Sequence, residues 1–291
     1  MNVGFDHELL SSFYLWCDDR LNFFAEAYSS IENHTFEYVD SNDVPSSYHG
    51  YYSPYRQFIS ASDKFTIDNH VEIAGSQVND KDGIYIDYNN GRVLVDTSVH
   101  GSSKTLNITG DFAYKTLNVY ITDETEESVI LNSDFIISPT NQTFLQTNGG
   151  FSEKIYTVPA MFITLSNSQN EPFAFGGMDN TITNIRSVVV ADSNYTLDGA
   201  LSIFRDSART VFPHIKFENF PYGEFNHIKN FPYKYKDLID NANNNFFISE
   251  IRSSKLTDRS RERIAGSKDY KIGFLDFTIE KPRSPRAIFQ R

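Results

Sequence analysis

Residues 83–96 read GIYIDYNNGRVLVD, and no other stretch limits the fold as tightly. Two runs rich in β-branched and aromatic residues, Ile84-Tyr85-Ile86-Asp87-Tyr88 and Arg92-Val93-Leu94-Val95, flank Asn90-Gly91. Asn-Gly supplies the two positive-φ positions of a type I′ turn, whose twist matches that of paired strands. A hairpin is therefore expected here. Further strands are expected at 105–108, 116–121, 128–130, 135–137 and 155–165, separated by polar turns such as TDETEES and SPTNQ. Short strands at this spacing, with no helical stretch between them, predict an antiparallel sandwich or barrel.

Helical periodicity brackets this β region. Leu9, Phe13, Trp16, Leu21, Phe24 and Tyr28 recur at spacings near three and four, predicting one apolar helix face to about residue 29. Asp6 is expected as its N-cap, with Phe5 and Leu10 as a hydrophobic staple. After a buried strand at 185–191, Thr196 is expected to cap a helix carrying Leu197, Leu201, Phe204, Ala208 and Val211, stopped by Pro213. Shorter helices are expected at 235–242 and, with Thr257 as cap and Gly266 ending it, at 258–265. YKIGFLDFTIE alternates like a last strand, and EKPRSPRAIFQR reads as a basic tail beyond the core. The fold class expected is a β-rich α+β protein with an antiparallel sandwich or barrel core. Its divisions would be an N-terminal helix at 1–32, the sandwich at 33–165, a mixed segment with aromatic-proline arms at 166–280, and the tail at 281–291.

Chemistry-bearing residues are scattered. The one cysteine, Cys17, falls in the N-terminal helix and rules out an internal disulfide framework. The seven histidines, at 7, 34, 49, 70, 100, 214 and 227, never take His-x-x-x-His spacing, and no phosphate-cradling Gly-x-x-x-x-Gly-Lys run occurs. VNDKDGIYIDYN puts Asp80, Asp82 and Gly83 at calcium-loop positions, but Val78 and Asn89 stand where the cation needs carboxylates. Asp123, Glu124, Glu126 and Glu127 are adjacent in one polar turn rather than opposed across a cleft. Four Asn-x-Thr sequons, at Asn33, Asn107, Asn141 and Asn194, match what chance gives in so Asn-rich a chain. The expectation is a non-enzyme without metal or cofactor. No apolar run approaches the ~18 residues of a membrane span, so no membrane partner is expected.

Adhesive features are concentrated instead. Residues 201–291 hold 17 Lys and Arg against 11 Asp and Glu, a net of +6, leaving 9 against 27, a net of −18, for residues 1–200. Halves of opposite sign suit head-to-tail contact between copies. In HIKFENFPYGEFNHIKNFPYKY, residues 214–235, Asn219-Phe220-Pro221-Tyr222 returns as Asn230-Phe231-Pro232-Tyr233. Each proline fixes φ and extends the residue before it, so each copy is a stiff bend bearing two rings. Such bends either plug the domain's own core or clasp a neighbouring subunit. Phe220, Pro221, Tyr222, Phe231, Pro232 and Tyr233 are the docking candidates, with Arg252, Arg259, Arg261 and Arg263 for a partner's acidic surface. No nucleic-acid motif surrounds these arginines, so sequence-specific DNA binding is not expected.

Three stretches together, GFDHELLSSFYLWCDDRL, the GIYIDYNNGRVLVD hairpin and IRSVVVADSNYTLDGALSIFRDSARTVFP, resemble virion structural proteins of tailed bacteriophages. The likeness is to neck, head–tail connector and tail components of marine phages. It implies a homo-oligomeric ring around the DNA channel, built in the host cytoplasm and carried in the virion. Copies of the chain and other neck, portal or tail proteins are the implied partners. The alternative is a fibre or receptor-binding module that stacks sugars on Tyr48, Tyr51, Tyr52 and Tyr55 of YHGYYSPY.

Overall fold

The computed structural model describes residues 4–40, 44–59, 70–78, 83–137, 155–174, 178–223, 226–229, 234–238, 244–257 and 270–283. Seven antiparallel strands form one curled sheet, in the spatial order β4 (Ser76–Val78), β3 (His70–Ile73), β7 (Ile108–Lys115), β1 (Tyr28–Tyr38), β2 (Tyr48–Tyr52), β6 (Arg92–Asp96) and β5 (Ile84–Asp87). Six form the second, in the order β13 (Val211–Pro213), β14 (Asn245–Lys255), β15 (Lys271–Arg283), β12 (Met178–Ala191), β11 (Ala160–Ala174) and β8 (Asn118–Ile121). Its pairs are antiparallel except β11 with β8. A short parallel pair, β9 (Asp134–Ile137) and β10 (Ile155–Val158), stands apart. The β-rich α+β class expected from the sequence is the one observed.

Helix α1 (Phe5–Asp19) joins the sheets. Its Phe13 ring lies 4.9 Å from Phe277 and its Trp16 ring 5.7 Å from Phe212, both in the six-stranded sheet. Toward the other sheet, the Tyr14 hydroxyl donates to Asn89 at 3.0 Å and Asp18 pairs with Lys115 at 2.7 Å. Burial pushes the Asp18 carboxyl up, and the Lys115 ammonium opposes that push. One continuous apolar cluster therefore runs from the seven-stranded sheet through α1 to the six-stranded sheet. Cys17 sits inside it, its thiol raised by burial. A smaller cluster lies where α3 (Glu126–Asn132), which follows the one-turn α2 (Thr97–His100), covers with β9 and β10 the opposite face of the second sheet at its upper end, the end bearing Ala160, Val190 and Ile272.

Local chemistry explains where the structure departs from the sequence reading. Gly4, not Asp6, is the N-cap of α1, and Asp6 and Glu8 lie in the first turn, where acidic groups suit the positive helix end. The helix does not continue to residue 29: it passes into a π-helical turn at Arg20–Phe24, and Tyr28 already belongs to β1. Asn90-Gly91 does not form a two-residue turn. The last strand pair is Asp87 with Arg92, and of the two loop residues only Gly91 has positive φ, because the Asp87 carboxylate captures both the backbone N–H and the side-chain amide of Asn90. Residues 128–130 are helix rather than strand, since the Thr125 hydroxyl accepts from the Ser128 N–H and caps α3.

Ser193 rather than Thr196 caps α4 (Asn194–Arg205), and Val211 and Pro213 belong to an edge strand rather than to a helix end. The helix expected at 235–242 is described only as a 3₁₀ turn, Tyr235–Leu238. The one expected at 258–265 lies outside the described residues. The boundaries after residues 32 and 165 fall inside β1 and β11, and the expected tail begins within β15, because Lys281 is buried under the sheet's lower end.

Candidate interaction surface

Alternation in the six-stranded sheet decides what faces outward. In β15, Leu275, Phe277 and Ile279 are buried on the inner face, while Phe274, Asp276, Thr278 and Glu280 are half-buried on the other face, where Ile272 is buried under α3, β9 and β10. Paired residues of antiparallel strands share a face, so Arg252, Asp276, Arg186 and Thr164 form one outward row across β14, β15, β12 and β11. Arg186 reaches Glu126 of α3 and, at 3.5 Å, Asp276. The next row is an amide ladder: Asn184 donates to Asn167 at 2.7 Å and accepts from the Thr278 hydroxyl at 3.2 Å. This lower outer face is broad and polar.

The edges differ from it. On β13 and β14 the paired residues Val211 and Phe247 are 54% and 38% exposed, which puts two apolar side chains side by side at one margin. At the opposite margin β11 runs on past β8, with Ser166 to Pro172 all exposed. On the inner face a groove of about 890 Å³ runs along α4. Leu21, Ala25, Leu117, Pro159 and Ile203 line it, and Asp198, which pairs with Lys255, stands at its rim.

Below the Val211–Phe247 margin, four polar side chains close on one another. The His214 Nε2 lies 2.8 Å from the Glu8 carboxylate, and the Lys281 ammonium lies 2.7 Å from His214 Nδ1 and 2.7 Å from the Asn244 oxygen. An ammonium only donates, so Nδ1 accepts, and Nε2–H donates to Glu8. Lys281 also lies 4.2 Å from the centre of the Phe246 ring, and Arg283 lies 3.9 Å from that of Phe5. Burial, with the Lys281 charge second, pushes His214 below the ordinary histidine value, and burial brings Lys281 down to about 8. The cluster ties the first turn of α1 to the strand ends of the second sheet, and its hydrogen-bonding groups are directed at one another.

The sequence-predicted docking residues divide. Pro221 and Tyr222 are buried in the chain's own core and Phe220 packs against it, so this copy of the repeat turns inward. It does so by folding back on the next segment: Tyr222 bridges Ile228, the Gly223 N–H donates to the His227 carbonyl at 2.8 Å, and the Lys229 N–H to that of Pro221 at 2.9 Å. Ile215 and Ile228, equivalent in the two copies, are both buried. Phe231, Pro232, Tyr233, Arg259, Arg261 and Arg263 lie outside the described residues. Arg252 is exposed on β14 and makes a two-point contact with Glu250 at 2.8 and 2.9 Å. Of the tyrosines considered for sugar stacking, Tyr51 and Tyr52 are core residues and Tyr55 stacks on Tyr114 at 3.9 Å.

Sequence reading missed β14, the long β11 margin and the Glu8–His214–Lys281 cluster. For the margin a signal exists: SNSQNEP, residues 166–172, is a run of polar residues closed by Pro172, and proline within a sheet is confined to edge strands, strand starts and bulges. No family model and no curated protein matches the chain. Among the described residues, no helix is long and apolar enough to cross a membrane.

Proposed function

We propose that this chain is a non-enzymatic structural protein of a tailed-phage virion that assembles with copies of itself into a ring at the neck, head–tail connector or tail. The phage setting comes from the three stretches that resemble such proteins. The assembly role is supported chiefly by one observation, the exposed apolar pair Val211 and Phe247 beside an uncovered sheet edge. Exposed apolar residues gathered at one place mark contact surfaces, whereas scattered ones do not. The opposed charge of the two parts of the chain, −18 against +6, adds orientation to that contact. The titratable cluster at His214 supports the same reading, because its groups bind one another across α1, β15 and the segments that follow β13 and precede β14.

The test is direct. Mass spectrometry of purified particles should detect the chain as a stoichiometric component, and negative-stain images of the isolated protein should show closed rings. A chain missing from particles of the phage that encodes it would end the proposal.

A further inference from the structure

Both margins of the six-stranded sheet carry a stretch that no described strand covers. β8 pairs with β11 only over Ala160–Ile163, and β13 pairs with β14 only over Asn245–Phe247. Bulges delimit what remains. Register in β11 is regular from Asn167 to Pro172, between breaks at Leu165/Asn167 and Pro172/Ala174. In β14 it is regular from Glu250 to Lys255, after the break at Ile248/Glu250. Each open stretch is thus six residues, about 20 Å of strand. All six on β11 are exposed, as are Glu250 and Arg252 to Lys255 on β14.

The two stretches are also placed to meet. β11 is followed across the sheet by β12, β15 and β14, each antiparallel to the one before, so β11 and β14 run in opposite directions. The open part of β14 lies toward Lys255, which pairs with Gly273 at the upper end of β15. The open part of β11 lies at the lower end, toward its pairing with Met178. Setting one copy's β14 beside the next copy's β11 therefore gives an antiparallel pair with a vertical offset. That offset leaves room for β13 of the first copy below and β8 of the second above. Charge favours this arrangement by a small balance: Glu171 lies on one stretch, and on the other Arg252 and Lys255 outnumber Glu250, with Arg252 held by Glu250 and Lys255 by Asp198 in the same chain. Asn167, Ser168, Gln169 and Asn170 on one line and Ser253 and Ser254 on the other are polar side chains able to hydrogen-bond across such a pair.

We propose that the open edge of β14 in one copy pairs, antiparallel, with the open edge of β11 in the next, so that the six-stranded sheets join head to tail. Two different surfaces meet at such a contact, and repetition closes a ring or winds a helix. The inference deepens the assembly reading above and depends on it.

Two double variants test it, each changing only exposed side chains: Gln169→Lys with Glu171→Lys on β11, and Arg252→Glu with Ser254→Glu on β14. Sedimentation velocity and native mass spectrometry should find assemblies of the natural chain. Each variant alone should lose self-association by on the order of a hundredfold, since like charges would then face each other. Circular dichroism melts of the two should match the natural chain. Mixing the variants puts Lys against Glu at one contact and leaves the natural pairing at the other, so assembly should return with the two alternating. Assembly retained by both variants alone would overturn the edge pairing while leaving the assembly role intact. A natural chain that stays monomeric at ~100 µM, or variants that mixing does not rescue, would also overturn it. Presence of the chain in particles answers the phage reading separately.

Discussion

Two charge clusters, one in each sheet, are assembled differently. In the seven-stranded sheet, Asp87 and Arg92 close one hairpin, and their side chains are 0% and 8% exposed. Asp87 accepts from Asn90, Arg92 and, at 3.1 Å, from Asn226, while Arg92 also donates to the Tyr52 hydroxyl at 2.8 Å. In the six-stranded sheet, Glu8 and His214 meet across 206 positions of sequence, and Lys281 arrives from a third element. The first is centred on a pair five positions apart in one hairpin, to which Tyr52 and Asn226 add from farther along the chain. The second forms only when both ends of the chain are in place, so it reports completion of the fold.

That contrast is sharpest when one partner is removed. Asp87→Ala leaves the Arg92 guanidinium buried without its carboxylate, which costs about 3–5 kcal/mol of stability in urea unfolding. His214→Ala strips Glu8 and Lys281 of their shared partner. Glu8 is partly exposed and recovers water, so the cost is smaller, about 2 kcal/mol. The second variant should also loosen α1 selectively. Amide exchange should rise in the first turn of α1 and in the lower ends of β14 and β15, with little change around the β5–β6 hairpin. Equal protection loss in both sheets would mean that the His214 cluster does not act locally.

The same difference in sequence separation decides how much was legible. The β5–β6 pairing could be read because Ile84 to Val95 carry strand preference, turn residues and the Asp87–Arg92 pair within one window. Even there the turn was misjudged, since a carboxylate four positions before Gly91 competes for the Asn90 amide. Residues 128–130 were misread because β-branched Val129 and Ile130 outweighed the cap supplied by Thr125. β14 went unread because NFFISEIRSSK alternates imperfectly, and the register break near Ser249 shifts its faces. The interaction surface was least legible. The first Phe-Pro-Tyr bend resembles an arm in sequence, and whether its rings face out or in is set by Ile228, Gly223 and Lys229 folding back on it. The edges left open at β11 and β14 depend on how short β8 and β13 are, which no local pattern records.

The smallest effect expected is a pH dependence at the second cluster. His214 titrates below the ordinary histidine value in the folded chain, because burial and the neighbouring Lys281 charge disfavour the imidazolium. As pH falls below about 6.5 the unfolded chain takes up a proton there that the folded chain does not, so stability drops until the folded value is reached. Lys281 behaves likewise at higher pH. Its folded value is about 8 against an ordinary 10.5, so its contribution to stability rises as pH climbs from 8 to 10.5 and is flat at neutrality. Other groups slope the other way: burial raises Asp19 to about 6, and raised Cys17 and Tyr51 values reduce stability at alkaline pH. The informative quantity is consequently a difference between variants. Subtracting the pH–stability curve of His214→Gln from that of the natural chain should leave a step on the acid side of pH 6.5. The same subtraction with Lys281→Met should leave a rise between pH 8 and 10.5. Curve shapes identical to that of the natural chain for both variants would mean that the cluster is merely packed charge, and that His214 and Lys281 titrate as they do in the unfolded chain.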